Sequence, residues 1–500
     1  MLPQTSNITV SAAVSNFRLT DKLGQPVVPG EGHIHYFLDV VPPVVPGQPA
    51  TTTPGTFVPT VATSHTWNNI TPGTHILSVE LVNNDHTPLE PPVVASVSVN
   101  VSGEPVPVPP GGNFFGPPGI DILDMAVASD GVTIFVAAKS NTSSKFVYKS
   151  LNSGITWADL SQTTGLNINN TDLIAVAPDD PDIVVVADAL IPAAYVTIDG
   201  GFSWYSLGAI SSSGGTAARL YDIDISGQRN GIRYVAVATT LNPGDTNVPA
   251  LFYFNLGAVV PVWKDAVRDF TAQGGRNLIV NEIDAIKAVQ FSPAFSSDLT
   301  LTAVSEQRGT PAKNGASRFH LISLSNKKWD ADAGFTDYPV MLISSNGISV
   351  NVGHASISLD PEYQATDITQ RIAFVGAQIT DSTHHKEMGG IYRLNDTDML
   401  KILDAPVYDV AFNGTNLVAG ATTDGAVTPS HTVYYCLDPL SDLPIIDEAL
   451  ALKRPSGTTA VIVAWAGDNI VAGTSGSNSA FSISSNNGQS FNGVSLIDPA

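Results

Sequence analysis

Histidine residues are concentrated near the amino terminus of this 500-residue chain. Five of the ten histidines, His33, His35, His65, His75 and His86, lie in the first 102 residues. In the segment GHIHYFLD, His33 and His35 are two residues apart, so both would project from the same face of a strand. The segment NNDHTPLEPPV places His86 in a loop that could fold over them. The pattern therefore allows three imidazoles to converge.

A convergent set of His33, His35 and His86 would suit Cu²⁺ or Zn²⁺, with Asp39 or Asp85 as a further ligand. The alternative is that the rings pack and hydrogen-bond at the edge of a sandwich without a metal. Because spacing does not show convergence, the pattern alone favours the metal-free alternative. The sequence thus predicts no required cofactor, and these three histidines are its candidate metal ligands.

Acidic pairs are the other candidates for chemistry. Glycoside cleavage uses two carboxylates about 5 to 10 Å apart, and Asp121 with Asp124, or Asp222 with Asp224, are close in sequence. These carboxylates are more simply expected at strand ends or in solvent. The sequence has no nucleophile elbow, no HExxH zinc helix and no phosphate-binding glycine loop. We therefore predict no catalytic residue and a protein that is not an enzyme.

The chain is acidic and poor in charge. Asp and Glu number 45 against 23 Lys and Arg, which gives a net charge of −22, and only 14% of residues are charged. This balance argues against nucleic-acid partners and makes calcium, or a basic partner surface, the expected counter-charge.

No apolar run reaches the roughly 20 residues that span a bilayer, and we expect any export signal or anchor outside this sequence. The single cysteine, Cys436, excludes an intramolecular disulfide.

A break in composition divides the chain. Residues 103–119, GEPVPVPPGGNFFGPPG, are dominated by Pro and Gly and predict an interdomain linker. Residues 1–102 contain segments with the period of two that half-buried strands show, and a proline-rich insert at 42–60 predicts an exposed loop. We predict an Ig-like β-sandwich over 1–102 and a second domain over 120–500.

In the second domain a pattern of strands recurs seven times. Its middle strand is rich in Val, Ala and Gly, which fit where strands crowd near a propeller axis. The copies are IFVAAK (134–139), IVVVAD (183–188), YVAVAT (234–239), LTAVSE (301–306), AFVGAQ (373–378), LVAGAT (417–422) and IVAGTS (470–475). The repeat predicts an all-β fold with a seven-bladed β-propeller. Six or eight blades stay open, because the copy around 283–330 is poorly marked.

Three repeats carry a tighter motif, Ser/Thr-x-Asp/Asn-x-Gly-x-Ser/Thr-aromatic, at the turn after the third strand. The Asp or Asn can accept turn amides, the Gly can take a positive φ, and the hydroxyl can close the turn. The aromatic residue supplies apolar area between blades. The copies are Asn152, Gly154, Thr156 and Trp157; Asp199, Gly201, Ser203 and Trp204; and Asn486, Gly488, Ser490 and Phe491.

These turns resemble the Asp-box, or BNR repeat, of sialidase-like β-propellers, over roughly residues 120–498. The boxes are structural in that family, so the resemblance implies the fold and no chemistry. Two of the three copies have Asn in place of Asp, which argues against metal binding by the turns. The Arg-Ile-Pro element that sialidases carry early in the propeller is missing.

The N-terminal histidine segments resemble an Ig-like domain family of exported prokaryotic proteins without an assigned function. The resemblance implies a prokaryotic extracellular or cell-surface location. The family pattern is His-x-His-x-x-x-Asp, then Pro-Gly-x-His and His-x-Pro. It matches at His33, His35, Asp39, Pro72, Gly73, His75, His86 and Pro88.

These features favour a non-enzymatic structural or adhesive surface protein, such as an S-layer or appendage subunit. It would contact copies of itself or other envelope proteins, with calcium bridging acidic loops. One alternative is a glycan-binding or glycoside-processing propeller, with stacking candidates at Tyr221, Tyr253, Tyr392, Tyr408, Tyr434 and Trp465. Another is a copper- or zinc-binding surface protein. Sequons for glycosylation occur at Asn7, Asn69, Asn100, Asn141, Asn169, Asn395 and Asn413.

Overall fold

The computed structural model of the chain describes residues 6–70, 73–101, 119–161, 163, 165–166, 171–241, 248–271, 283–307, 316–343, 352–379, 389–422 and 432–498. The chain divides into two compact units. The first comprises Met1–Pro110, Gln228–Tyr234 and Phe254–Val262, and the second comprises Gly111–Gly227, Val235–Tyr253 and Trp263–Ala500. The predicted linker, 103–119, lies outside the described residues apart from Gly119. Among the described helices, none has the length and apolar character needed to cross a bilayer.

The described residues of the first unit form seven strands. They are β1 (Ser6–Ser11), β2 (Arg18–Leu19), β3 (Glu31–Leu38), β4 (Phe57–Thr60), β5 (Ser64–Ile70), β6 (Gly73–Asn83) and β7 (Pro88–Val101). One sheet has the order β2-β3-β6-β7, with β4 also paired to β3, and a second sheet pairs β1 with β5. The strand β3 is the centre of the larger sheet, because it pairs with three others.

The two faces of β3 differ because successive side chains of a strand point to opposite sides. Ile34 and Tyr36 join the hydrophobic core with Trp67 and Leu77. His33 and His35 belong to the other face and are also fully buried, each at 0% exposure. The imidazole rings of His33 and His35 are therefore buried, although they lie on the sheet face that a sandwich would normally expose to solvent.

The cover comes in part from the proline-rich insert 42–60. The insert was expected to be an exposed loop; residues 44–49 are exposed as predicted, but residues 50–53 are buried and residues 57–60 form β4, so for these two stretches the prediction is wrong. The physical reason is a hydrogen bond: His35 Nδ1 lies 2.6 Å from the carbonyl oxygen of Ala50. This bond holds the insert against the polar face of β3.

Among its described residues, the second unit contains seven antiparallel blades, which we number in chain order; six have four consecutive strands, and blade 4 has a fifth. Blade 1 comprises β8 (Asp121–Val127), β9 (Ile134–Lys139), β10 (Lys145–Ser150) and β11 (Ala158–Asp159). Blade 2 comprises β12 (Leu173–Ala177), β13 (Asp180–Asp188), β14 (Ala193–Thr197) and β15 (Tyr205–Ala209). Blade 3 comprises β18 (Arg219–Ile225), β19 (Tyr234–Thr240), β20 (Pro249–Asn255) and β21 (Trp263–Asp265). A short hairpin, β16 (Ser211–Ser212) and β17 (Gly215–Thr216), precedes blade 3.

Blade 4 comprises β22 (Ala285–Phe291), β23 (Thr300–Gln307), β24 (Ala316–Ser323) and β25 (Lys328–Trp329), with β26 (Val340–Leu342) as a fifth strand. Blade 5 comprises β27 (Val352–Leu359), β28 (Ile372–Ile379), β29 (Gly389–Asn395) and β30 (Asp398–Leu403). Blades 6 and 7 comprise β31 (Val407–Phe412), β32 (Leu417–Ala421), β33 (Val433–Cys436), β34 (Asp447–Glu448); and β35 (Val461–Ala466), β36 (Asn469–Thr474), β37 (Phe481–Ser484), β38 (Asn492–Ser495). The helices within the described residues are α1 (Ala266–Thr271) and α2 (Phe295–Asp298), with 3-10 turns at Asp330–Ala333 and Ile368–Gln370.

The seven blades close into a ring. The first strand of each blade packs against the first strand of the next, and β35 of blade 7 packs against β8 of blade 1. This arrangement confirms the predicted seven-bladed β-propeller. The stretch at 283–330, which the sequence marks poorly, supplies the first four strands of blade 4.

Side chains close the ring between blade 7 and blade 1. The indole N–H of Trp157 donates to Ser495 Oγ at 2.8 Å, and the Trp157 ring packs edge-on against Phe481. The N–H of Gly119 donates to Asp498 Oδ1 at 3.0 Å. Close packing explains the small residues of the middle strands, because a Cβ at Gly473 would lie 2.6 Å from Ile122 Cγ2.

Candidate metal centre and other candidate sites

The three histidines predicted as metal ligands converge in the first unit. His33 Nε2 lies 3.0 Å from His35 Nε2 and 3.1 Å from His86 Nδ1, and His35 Nε2 lies 3.0 Å from His86 Nδ1. The three ring nitrogens therefore form a nearly equilateral triangle. The side chains are buried, with exposures of 0%, 0% and 5%.

Two elements position these rings. His33 and His35 share a face of β3, and His86 lies in the tight turn between β6 and β7, where the His86 N–H donates to Asn83 O at 3.0 Å. The backbone of His86 has φ of +68°, a left-handed conformation that is uncommon outside glycine. A non-glycine residue held in this conformation is often found at functional sites.

Hydrogen bonding alone does not explain the triangle. A hydrogen bond needs one donor and one acceptor. Wherever the protons are placed on three mutually close nitrogens, at least two of the atoms carry the same group, a lone pair or an N–H, and oppose each other. Three such close contacts therefore cannot all be favourable in the neutral rings.

The rings are poor bases and good ligands. Burial, and then the neighbouring His86, lowers the pKa of His33 to about 4; burial, and then His33, lowers the pKa of His35 to about 3. Burial also lowers the pKa of His86. The His35 Nδ1–H donates to the carbonyl oxygen of Ala50, so its Nε2 lone pair faces the triangle.

The triangle has the size that a metal ion requires. Zn²⁺ and Cu²⁺ bind imidazole nitrogens at about 2.0–2.1 Å. An ion at that distance from three nitrogens about 3 Å apart would lie roughly 1 Å outside their plane. The three atoms can thus occupy one face of a coordination sphere. Among the described residues, His33, His35 and His86 form the one group of at least three His, Cys, Asp or Glu side chains close enough to hold an ion.

The two aspartates predicted as additional ligands lie elsewhere. Asp39 Oδ2 is 2.6 Å from His75 Nδ1, and its Oδ1 accepts the N–H of Ile76. Asp85 Oδ1 accepts the N–H and the hydroxyl of Thr87. The expectation that Asp39 or Asp85 joins the histidines is therefore wrong, because local turns use both carboxylates.

The sequence analysis missed Glu80. Glu80 of β6 pairs directly with His35 of β3, so the two side chains share one face of the sheet. It is 1% exposed, and both carboxylate oxygens are buried without a hydrogen-bond partner among the described residues. Burial raises the pKa of Glu80 to about 8. The alternation in HILSVELV could have placed it on this face, but only the pairing register sets it opposite His35.

The second unit has a cavity along the propeller axis. Its volume is about 560 Å³, and the first strands of the blades line it. The acidic candidates Asp124, Asp222 and Asp224 line this cavity, which corrects the expectation that they sit at strand ends or in solvent. Asp121 instead accepts the N–H of Gly476.

The cavity carboxylates hold neighbouring blades together. Asp124 Oδ2 accepts the N–H of Ile174 at 2.8 Å, and Asp224 Oδ2 accepts that of Phe291 at 2.7 Å. Asp222 and Asp409 make the same bond to Val289 and Val463 at 2.8 and 2.9 Å. The innermost strand of a blade has unpaired N–H groups at its edge, and these carboxylates satisfy them. Their role in the structure is to join blades.

Most of the proposed sugar-stacking residues do not present a free ring. Tyr253, Tyr392 and Tyr434 are buried. Tyr221 and Tyr408 line the cavity, but Lys287 Nζ lies 3.9 Å from the Tyr221 ring centre, and His354 stacks on Tyr408 at 4.2 Å. The protein itself therefore covers one face of each of these two rings.

Blade 4 contains a hydrogen-bonded Ser-His-Asp chain. His320 Nε2 is 2.9 Å from Ser305 Oγ, and His320 Nδ1 is 2.8 Å from Asp330 Oδ2. Hydrolases with a catalytic triad use the same connectivity. Here Ser305 is 0% exposed and His320 is 2% exposed, so a substrate cannot reach the hydroxyl. The chain ties β23, β24 and the turn after β25 together.

We predict that His320→Ala lowers the free energy of unfolding of the second unit by about 2–4 kcal/mol, because it leaves buried polar groups without partners and opens a cavity. Ser305→Ala should cost less, about 1 kcal/mol, since it removes one bond only. Chemical denaturation of the two variants measures both effects. Equal unfolding midpoints for His320→Ala and the unaltered protein would show that the chain is not structural.

The three motif turns make a common set of hydrogen bonds. In each, the Oδ1 of the Asp or Asn accepts the N–H four residues later: Asn152 from Thr156 at 2.9 Å, Asp199 from Ser203 at 2.9 Å and Asn486 from Ser490 at 3.0 Å. The glycines have positive φ, +84° at Gly154, +97° at Gly201 and +88° at Gly488. The aromatic residues Trp157, Trp204 and Phe491 are buried.

The remaining candidates from the sequence are the glycosylation sequons, Pro72 and the single cysteine. The asparagines Asn141, Asn395 and Asn413 are exposed; Asn169 and the side chains of Asn7, Asn69 and Asn100 lie outside the described residues, as does Pro72. Cys436 is a buried thiol, and burial raises its pKa to about 11.

No protein-family model matches the chain, and no curated protein sequence matches it. Solved structures similar to it include a GH74 xyloglucanase from Xanthomonas campestris, with 14% identity, a TM-score of 0.41 and coverage of 76% of this chain and 61% of that chain. Others are YCF48 bound to a D1 peptide, with 11% identity, a TM-score of 0.42 and coverage of 72% and 92%, and an α-L-arabinanase from Penicillium chrysogenum complexed with arabinobiose, with 12% identity, a TM-score of 0.38 and coverage of 67% and 96%.

These likenesses concern the fold and assign no substrate to this chain. The chain spans about three fifths of the length of the xyloglucanase. One sequence prediction is corrected. The sequence favoured a protein that is not an enzyme, whereas the similar solved structures include glycoside hydrolases at 11–14% identity, so that exclusion is withdrawn.

Proposed function

We propose that the first unit binds one divalent transition-metal ion, Zn²⁺ or Cu²⁺, through His33 Nε2, His35 Nε2 and His86 Nδ1. The observation that supports this most is the triangle of three buried ring nitrogens, 3.0–3.1 Å apart. Imidazole is a preferred ligand of both ions. The ion would replace unfavourable contacts between neutral rings with three coordinate bonds.

The burial of the ligands supports a stabilising role for the ion. With exposures of 0–5%, the histidines leave little room for a substrate to approach, whereas structural sites are typically closed. The ion would fasten the turn that carries His86 to β3. Metal binding of this kind contributes directly to folding, and a chain with one cysteine has no intramolecular disulfide for that purpose.

Elemental analysis tests this function. Protein purified without added metal, then dialysed against Zn²⁺ or Cu²⁺ and freed of excess ion, should retain one ion per chain. His35→Gln should retain almost none. His75→Gln is the matched control, because His75 belongs to the same unit but pairs with Asp39 outside the triangle. Absence of bound ion from the unaltered protein, or an equal loss in both variants, would refute the proposal.

Glycan binding at the axial cavity is a second candidate function. A cavity of about 560 Å³ has the size of a typical small-ligand site, and polar side chains, including Arg219 and His354, line it. The carboxylates there already accept backbone N–H groups, which favours binding over a carboxylate-based reaction. A glycan array and fluorogenic glycosides test the two activities separately. The surface location, self-association and calcium bridging expected from the sequence remain predictions.

A further inference from the structure

Two buried polar groups on the metal-site face of the sheet have no hydrogen-bond partner among the described residues. One is the Nδ1 atom of His33, and the other is the carboxylate of Glu80, at both of its oxygens. A buried carboxylate without any partner is costly. Each of these groups therefore calls for an explanation, and they lie close together in the sheet.

The strand register brings the two groups together. Glu80 is directly opposite His35, and His33 is the next residue on the same face of β3, so Glu80 and His33 are diagonal neighbours. Diagonal neighbours of an antiparallel pair are within reach of long side chains. Glu80 also adjoins Ser78 on its own strand face, whose hydroxyl is already within hydrogen-bond distance of Ser96 Oγ at 2.8 Å.

Metal binding would determine which atom of His33 carries the proton. If Nε2 of His33 coordinates the ion, its only N–H is at Nδ1, and a ring that binds metal almost always donates that N–H to a carboxylate or a carbonyl. His35 already has such a partner, the carbonyl oxygen of Ala50 at 2.6 Å. His33 needs an acceptor, and Glu80 is a buried acceptor for which the described part of the chain supplies no donor.

We propose that Glu80 is a positioning residue of the metal centre, which accepts the Nδ1–H of His33 when Nε2 of His33 binds the ion. This inference rests on the proposed metal site. The carboxylate would orient the His33 ring by accepting this hydrogen bond, as Ala50 O orients the His35 ring. Metal and carboxylate would thus satisfy each other's requirements within one buried cluster.

The affinity of Zn²⁺ for three variants of the full chain tests the role of Glu80, measured by competition with a chelator. Glu80→Ala should weaken binding by about 10–100-fold, the usual effect of losing such a partner. Glu80→Gln keeps an acceptor oxygen and should restore the affinity to within a few-fold of the unaltered protein. Glu31→Gln is the control, because the Glu31 carboxylate belongs to the same face but already accepts from Lys22 and Asn84.

Each outcome is decisive. If the unaltered protein binds neither Zn²⁺ nor Cu²⁺, the metal site and the role of Glu80 both fall. If Glu80→Ala binds as tightly as the unaltered protein, the metal site stands and the role of Glu80 is refuted. If Glu80→Gln is as weak as Glu80→Ala, Glu80 acts as a ligand or by charge, and the hydrogen-bond role is refuted.

A spectroscopic measurement keeps the proposal testable if Glu80→Ala does not fold. In Zn²⁺-loaded protein with ¹⁵N-labelled histidine, His33 should show a slowly exchanging Nδ1–H signal. The signal should shift in Glu80→Gln and stay in place in Glu31→Gln. A rapidly exchanging His33 Nδ1–H, or a signal that Glu80→Gln leaves unchanged, would contradict the bond.

Discussion

Saturating Zn²⁺ should raise the melting temperature of the first unit, and His35→Gln should abolish the rise. An ion that binds only the folded state at a concentration about 1,000 times its dissociation constant adds about 4 kcal/mol to the free energy of unfolding. For a unit of this size, each kcal/mol corresponds to roughly 4–8 °C. The expected shift is therefore on the order of 20 °C. Differential scanning calorimetry of the full chain with and without Zn²⁺ measures it.

The control for this experiment is again His75→Gln. Its ring is 2.6 Å from Asp39 and takes no part in the triangle, so the Zn²⁺-induced shift should persist. The transition of the second unit should not respond to Zn²⁺ in any of the three proteins. If Zn²⁺ shifts His35→Gln as strongly as the unaltered protein, the stabilisation comes from another site and the assignment is wrong.

The propeller should become less stable as the pH rises from 5 to 8. Burial raises the pKa of Asp124 and of Asp224 to about 7, that of Asp222 well above its usual value, and that of Asp409 in the same direction. The negative charges of Asp409 and Asp172 raise the pKa of Asp124 further. A carboxyl whose pKa is raised on folding binds its proton more tightly in the folded state. Its stabilising contribution is complete below the unfolded pKa near 4 and is lost as the pH passes the folded pKa.

The size of this loss depends on water in the axial cavity. A full shift of about three pKa units would correspond to about 4 kcal/mol for one carboxyl. Because Asp124 and Asp224 line a cavity of about 560 Å³, water should reduce the effect to about 1–2 kcal/mol for each of these two carboxyls. Denaturant titrations at pH 5 and pH 8, followed through the transition that Zn²⁺ leaves unchanged, measure the difference.

Asp224→Asn isolates one carboxyl of this group. The amide oxygen can still accept the N–H of Phe291, which Asp224 Oδ2 accepts at 2.7 Å, whereas the bond from the Ile225 N–H to Oδ1 at 2.8 Å is lost. The side chain no longer titrates. The variant should show a smaller loss of stability between pH 5 and pH 8 than the unaltered protein. A propeller that is equally stable at both values, or more stable at pH 8, would show that these carboxylates are ionised in the folded state at no cost.

The middle strands of the blades could be predicted from the sequence because their Val- and Ala-rich composition is a local property of each segment. The Val- and Ala-rich segments at 134–139 and 183–188 belong to β9 and β13, and the same pattern gave the blade count. Alternation also placed His33 and His35 on one face of β3. The contacts that close the ring could not be predicted from the sequence, because the bond from Trp157 to Ser495 joins residues 338 positions apart.

The candidate site was only partly predictable for the same reason. The pairing of His33 with His35 is a local property of one strand, but the approach of His86 depends on the turn between β6 and β7. Glu80 was missed because its place opposite His35 follows from the register of two strands 45 positions apart. Asp39 was misassigned, because proximity in sequence to His35 does not show that its carboxylate pairs with His75.

Anomalous X-ray diffraction from crystals of the Zn²⁺- or Cu²⁺-loaded protein tests the metal centre most directly. The account predicts one strong peak at the absorption edge of the metal in the first unit, about 2.0–2.1 Å from His33 Nε2, His35 Nε2 and His86 Nδ1. Crystals that show no peak between these three atoms, while the rings keep their positions 3.0–3.1 Å apart, would contradict it.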